Sequence, residues 1–423
     1  MKISNNKKEE IKVNVSSEIG RLKAVLLHRP GPEIERMTPQ NAHEALYSDI
    51  LSKHIVDNEY RLFSGVFEKF TKVFYVDDIL SKLMEDQTLR YSLVSQSCQN
   101  EGCEYLIDEI MQHDSKTIVE ELIKGFPFRK GKDLDYFEKR RYVLRPLYNL
   151  FFTRDASSSV YDKVLLNSMS FDVRKRENLI YKTIFKDYFG CELLNAQEWN
   201  PDARTEGGDV QIANSNTLCI GEGIRTNRNG IEYLVDTFKN QSSNGQKFNI
   251  IIQQLPHHPD SFIHLDMVFT FLDCDRCMVY EPMLRKSNEF SGKETLRIEI
   301  SDGVAKYIHC NNIIDALSQA GMNVEPLFCG GDDEWMQQRE QWHSGANFFA
   351  LAPGKIIGYR RNLNTIETLD KAGFSVLNAE DIVDGRVSID DYQRCVVTFA
   401  ASELPRAGGG ARCMTMPVNR ELL

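Results

Sequence analysis

The sequence runs to 423 residues, with 42% hydrophobic and 26% charged side chains and a formal net charge of −10. That length buries a sizeable core without disulfide or metal staples, and the composition is that of an ordinary globular protein. The acidic balance argues against nucleic acid as a partner.

The first ten residues, MKISNNKKEE, contain no apolar signal-peptide core. Nowhere do the roughly 18 apolar residues of a membrane span run together. A cytoplasmic protein without membrane contact is therefore expected. Leu22 to His28 is a short apolar run stopped by Arg29-Pro30-Gly31-Pro32, which predicts a buried strand ended by a turn. Val73 to Val76 predicts another. Between Pro39 and Pro127 there is no proline, and from Asp78 to Lys124 the only glycine is Gly102. Helix breakers are thus nearly absent. Leu106, Ile107, Ile110 and Met111 share one helical face, as do Ile118, Val119, Leu122 and Ile123, and Thr117 with Glu120 predicts a capping box. Residues 78–140 are expected to form an all-helical insertion in a catalytic α/β domain made of residues 1–77 and 141–423. Further short strands are predicted at Val164 to Leu166, Phe248 to Ile252, Cys277 to Tyr280, Lys355 to Tyr359 and Cys395 to Phe399, with amphipathic stretches between some of them. No repeat is visible letter for letter, although a strand-helix unit used several times would leave this rhythm.

Ten unevenly spaced cysteines read as free thiols, and Cys274-x-x-Cys277 lacks a second pair to complete a zinc site, so no metal is expected. Four segments could carry chemistry. Cys413 follows Gly408-Gly409-Gly410, whose glycines allow the close backbone approach and unusual φ values that a nucleophile on a loop needs. The alternative is a plain glycine-rich loop. His264-Leu265-Asp266 lies in an apolar surround, and read as a strand it places His264 and Asp266 on one face. A buried, satisfied His-Asp pair is the competing reading. Glu206-Gly207-Gly208-Asp209 sets glycines between two carboxylates, and Phe152-Thr153-Arg154-Asp155 holds a charged pair that could be an ordinary salt bridge. Together they supply a nucleophile, a histidine base and several carboxylates. Carboxylates around a thiol suppress its thiolate unless a bound cation offsets them, and a planar guanidinium fits two flanking aspartates.

These segments, in this order, resemble the arginine deiminase family of the guanidino-group-modifying superfamily. The resemblance extends from Ser17 to Lys23 and Leu27 to Gly31, through Val268 to Thr270, Leu351 to Gly354, Gly358 to Asn362 and Thr365, to Arg412 to Pro417. It implies a five-fold pseudosymmetric α/β propeller with a helical insertion. It also implies that L-arginine is hydrolysed to L-citrulline and ammonia. Cys413 would form a covalent thiouronium, and His264 would protonate the leaving amine and then activate water. Asp155 and Asp266 would clamp the guanidinium, and Glu206 would orient His264. Asn149, Phe152, Arg174 and Arg225 are the implied substrate-binding residues, the two arginines taking the α-carboxylate. No cofactor is implied, and a homo-oligomer is expected. Two departures concern the amino-acid end of the substrate. Ile224 stands where the family usually has glutamate, and Gly408 stands where some members have an arginine, whose contact Arg406 could supply. The rival readings are a deiminase for a modified guanidine, an amidinotransferase, or an arginine-binding protein without catalysis.

Overall fold

The computed structural model describes residues 11–128, 141–242, 245–285 and 293–423. The expected absence of a leader at residues 1–10, and the 129–140 part of the expected insertion, lie outside the described residues. The strands predicted from the short apolar runs all form, within a residue or two of their expected bounds.

One unit recurs in five sheets. Among the described residues, a strand pairs antiparallel with the next, and a crossover that includes a helix then brings a later strand parallel to the second. Ser157–Val160, Lys163–Leu166 and Leu193–Asn195 form one such sheet. Val210–Asn214, Thr217–Glu222 and Lys247–Gln254 form the next, extended by Thr295–Ser301 and Val304–Cys310. Phe269–Asp273, Arg276–Val279 and Glu325–Phe328 make another. In the fourth, Phe349–Ala352 pairs with Lys355–Tyr359, which lies parallel to Cys395–Phe399 with Ser375–Asn378 beyond it. The fifth joins distant parts of the chain. Met416–Arg420 supplies its first strand, antiparallel to Leu22–Leu27, and Lys53–Phe70 leads on to the parallel strand Lys72–Tyr75.

Parallel pairing needs a crossover, and the crossover helices cover the sheets, so the middle strands are apolar on both faces. Ile250, Ile251 and Ile252 are consecutive and all buried. Helices run from Val76 to Lys124 and pack their apolar faces with Ala24, Leu26, Val164, Leu166, Met416 and Val418 in one core cluster. Thr117 and Glu120 do not make the expected capping box. Ser115–Lys124 is instead capped by Asp114, whose carboxylate accepts from the backbone N–H groups of Lys116 and Thr117 and from the Thr117 hydroxyl at 2.6 Å. A carboxylate three residues upstream of Thr117 outcompetes its hydroxyl for the free N–H groups of the first turn. Among the described residues no helix is long and apolar enough to cross a membrane.

Candidate functional site

Each of the five units contributes the segment just before its first strand to one place. Asp155 precedes Ser157–Val160, Glu206 to Asp209 precede Val210–Asn214, His264 to Asp266 precede Phe269–Asp273, Asn347 precedes Phe349–Ala352, and Cys413 precedes Met416–Arg420. Five hydrogen bonds link these segments in a closed circuit. Gly207 N–H donates to Asp155 O (3.0 Å), Leu265 N–H to Asp209 Oδ1 (2.9 Å), Asn347 Nδ2 to Asp266 O (3.1 Å), Arg412 N–H to Asn347 Oδ1 (2.9 Å), and Arg154 N–H to Cys413 O (3.1 Å). The circuit explains how residues far apart in sequence are held at a fixed separation.

His264, Leu265 and Asp266 are not the expected strand. Leu265–Met267 is a 3-10 turn, closed by Met267 N–H on His264 O and pinned by the bond from Leu265 N–H to Asp209. The turn sends the two side chains to different partners. His264 Nε2 lies 2.9 Å from Glu206 Oε2, and its Nδ1 lies 3.8 Å from Asp155 Oδ1. Burial works against the imidazolium, but Asp155, the hydrogen bond to Glu206, and Asp209 outweigh it and raise the His264 pKa to about 9. Burial likewise works against the Glu206 carboxylate, yet Arg225, His264 and Arg174 hold it well below the usual carboxylate range. Asp209 is pushed up to about 7 by burial, against the pull of His264, Thr226 and the Leu265 N–H. The His264 ring lies directly on Gly208, where a Cβ would stand 2.4 Å from Nδ1.

Asp266 faces Cys413. Its carboxylate oxygens lie 3.8 and 3.9 Å from Cys413 Sγ, and Arg412 Nη1 holds Oδ2 at 2.8 Å. Arg412 also pairs with Glu18, so the residue next to Cys413 is fixed by two carboxylates. Burial, then Asp266 and Asp155, raise the Cys413 pKa well above the ordinary thiol value; a hydrogen bond from Gly410 N–H and the charge of Arg412 work the other way. The resting pair is therefore a thiol and an imidazolium, in a site rich in carboxylate. Asp155 pairs with Arg174 (2.7 Å) and not with its neighbour Arg154, whose side chain turns toward Phe349 and the Arg412 carbonyl.

Arg174 donates Nε and Nη2 to Glu177 and Nη1 to Asp155, while Arg225 Nη1 donates to Glu206 (3.3 Å) over the ring of Phe171. The Asn149 amide donates to Ala45 O, and the Phe152 ring packs on Gly409. Arg406, at the rim, pairs with Asp49 and Glu403. Asn347 and Glu177 were missed by the sequence reading. Asn347 could have been found from the repeat itself, as the residue in the fourth sheet's unit at the place where the other units carry their reactive groups. A surface depression of about 640 Å³ lined by Tyr161, Lys163, Phe238 and Phe248 lies away from this cluster and contains no thiol or histidine. The chemistry, not the open volume, places the site.

A family model described as arginine deiminase matches residues 45–420. The chain belongs to the arginine deiminase family. Curated arginine deiminases from Mycoplasma capricolum subsp. capricolum and Oenococcus oeni are similar to it at 32% and 30% identity, over 97% and 98% of this chain and 98% of each relative. Among solved structures, the N-terminal domain of ArgZ, an arginine dihydrolase from cyanobacteria in its product complex, has a TM-score of 0.53 at 13% identity, covering 95% of this chain and 98% of that one. Unliganded AgrE has a TM-score of 0.54 at 14% identity; this chain is matched over 95% of its own length but spans 40% of AgrE. At these identities the structures show a shared α/β fold. In this member of the arginine deiminase family, the four motifs that carry the resemblance are the ones the circuit brings together.

Proposed function

We propose that this protein hydrolyses L-arginine to L-citrulline and ammonia with Cys413 as nucleophile. The observation that carries the reading is the thiol itself: it is buried against Asp266 and near Asp155, so its thiolate is favoured only when a cation enters between those carboxylates. A guanidinium is such a cation, and its planar N–H groups suit two flanking carboxylates.

Entry of the guanidinium between Asp155 and Asp266 releases the Cys413 thiol proton to solvent, and the thiolate attacks the guanidinium carbon to form a C–S bond as the C–N π pair moves onto nitrogen. The tetrahedral adduct passes one nitrogen, protonated by the His264 imidazolium, into solution as ammonia and leaves a thiouronium on the sulfur. His264, now neutral, takes a proton from water as the water attacks the same carbon. As the C–S bond breaks, the hydroxyl proton of the second adduct passes to the departing sulfur, which restores the resting thiol and releases the neutral ureido product. Glu206 keeps the imidazole ring oriented throughout. The five sheets, each with its reactive segment before the first strand, are read as the five blades of a pseudosymmetric propeller, with the helices from residue 78 onward as an insertion.

Arg174 and Arg225 are assigned to the substrate's α-carboxylate, with Asn149 and Phe152 beside them. Without substrate each arginine is neutralised by a carboxylate of the reaction centre, Arg174 by Asp155 and Arg225 by Glu206. A substrate carrying both a guanidinium and a carboxylate exchanges these internal pairs for two external ones, whereas agmatine replaces only half of them. Arg225→Leu should cost arginine about 30- to several-thousand-fold in kcat/KM, as loss of a buried charge-assisted contact of about 2–5 kcal/mol implies. Agmatine turnover should fall less, narrowing the gap between the two compounds. Equal depression of both would reject the assignment. Arg174→Leu should in addition lower the melting temperature, since it leaves Asp155 and Glu177 buried without their cation.

Gly208→Ala is expected to displace the His264 ring and lower kcat by about 10²-fold, the effect of a shift of roughly 1 Å in a catalytic group, with a smaller change in KM. Steady-state assay of the variant reads this directly. The reaction as a whole is tested by incubating purified protein with arginine, agmatine or a methylated arginine and following citrulline and ammonia. Product only on addition of an acceptor amine would identify an amidinotransferase, and binding without product an arginine-binding protein.

A further inference from the structure

Four of the five units place an ionisable or nucleophilic side chain just before the first strand; the unit of Phe349–Ala352 places a neutral amide there, Asn347. That residue is 1% exposed and uses both ends of its side chain. Oδ1 accepts from the backbone N–H groups of Arg412 (2.9 Å) and Cys413 (3.4 Å), and Nδ2 donates to Asp266 O (3.1 Å) and lies 3.3 Å from Cys413 Sγ. Its seat depends on Gly410, where a Cβ would stand 2.6 Å from the Asn347 oxygen. Of the five links in the circuit, the two made by Asn347 are the only ones that join a unit through both ends of one side chain.

We propose that Asn347 is a catalytic residue of this reaction, donating its amide N–H to Cys413 Sγ while its amide oxygen fixes the backbone that carries the sulfur. The proposal rests on the reading of Cys413 as nucleophile. Around Sγ the charged and titratable groups are Asp266, Asp155, Arg412 and Tyr359. The two carboxylates disfavour the thiolate. Asn347 supplies the side-chain N–H found at the sulfur among the described residues, beside the N–H of Gly410. A neutral donor suits this place, because a cation there would compete with the substrate for Asp266. The amide also spans Asp266 and Cys413, so it holds the clamping carboxylate and the attacking atom at one separation. When the thiolate forms, the bond becomes charge-assisted; it is therefore stronger during attack than in the resting thiol, which is the condition for lowering a barrier.

The test uses Asn347→Ser and Asn347→Asp, the second of which keeps an acceptor for the Arg412 and Cys413 N–H groups but lacks the amide donor. Both should lower kcat by about ten- to a hundred-fold, the usual worth of one hydrogen bond to a charged reacting group, with KM changed by less than about threefold. Without substrate, alkylation of Cys413 by iodoacetamide should move to higher pH in both variants. Exposed Cys274 serves as the internal control. A purely structural role would lower thermal stability but leave the alkylation profile in place. Wild-type kcat and an unmoved alkylation profile in the folded variants would overturn the proposal. If neither variant folds, the crystal structure of wild-type enzyme trapped with its covalent intermediate decides: Nδ2 within hydrogen-bond reach of the sulfur supports it, and a separation beyond about 4 Å overturns it. Alkylation needs no turnover, so an altered profile in a protein whose wild type does not consume arginine would reject the reaction while leaving the contact with sulfur standing.

Discussion

Cys413→Ser should abolish turnover, by at least about 10⁴-fold, while arginine still binds. The hydroxyl is a far weaker acid than the thiol, and the site already works against an anion at that atom: Cys413 is buried, and Asp266 and Asp155 oppose its ionisation. In the proposed reaction those same carboxylates clamp the guanidinium, so binding does not need the sulfur. Equilibrium binding of arginine to the serine variant and single-turnover assay separate the two effects. Wild type quenched during turnover should carry a substrate-derived mass increment on the peptide containing Cys413. An increment on Cys274 or Cys277, or on no cysteine, would sink the mechanism. Cys277, Cys219 and Cys329 are buried, and burial raises all three thiols, which leaves them inert.

His264→Ala should lose at least the roughly 10²-fold that general acid–base groups supply, and the pH dependence should identify why. In the folded protein the His264 pKa is raised from 6.5 to about 9, because Asp155, the hydrogen bond to Glu206, and Asp209 together overcome the burial that alone would lower it. The proton needed by the departing ammonia is therefore in place at neutral pH, and kcat should fall as pH rises through about 9. The sign for stability follows from the same shift. A histidine whose folded pKa exceeds its unfolded one stabilises fully below about 6.5, and that contribution is lost as pH rises toward about 9. Melting temperatures measured across this window should fall in the wild type, and the His264→Ala variant should lack that part of the fall. An alkaline limb unchanged in a variant that retains activity would assign the proton to another group.

The residues that the fold brings together were legible because they are chemically distinctive and occur as short motifs in chain order: a thiol after three glycines, a histidine and an aspartate in an apolar surround, two carboxylates about a glycine pair. The strands were legible too, since each is a short apolar run between turn residues. Local sequence could not give the partners. Nothing near Arg174 announces that it will meet Asp155, and nothing near Arg412 announces Glu18 and Asp266. The period-two reading of His264 to Asp266 failed because Asp209, from another unit, captures the Leu265 N–H and bends the chain into a turn. Asn347 was invisible for the opposite reason. One asparagine before an apolar strand looks like any turn residue until the repeat shows which position it fills.

The pairing of Leu22–Leu27 with Met416–Arg420 bears on how the protein is made. Translation delivers Asp155, Glu206, His264 and Asp266 well before Cys413, and the sulfur is seated only when the strand that follows it reaches a partner synthesised near the start. Until that strand pairs, Glu18 and Asp266 also lack Arg412, the cation that neutralises both. Bringing Cys413 beside Asp266 is therefore limited by a contact of very large sequence separation, the slow kind to form.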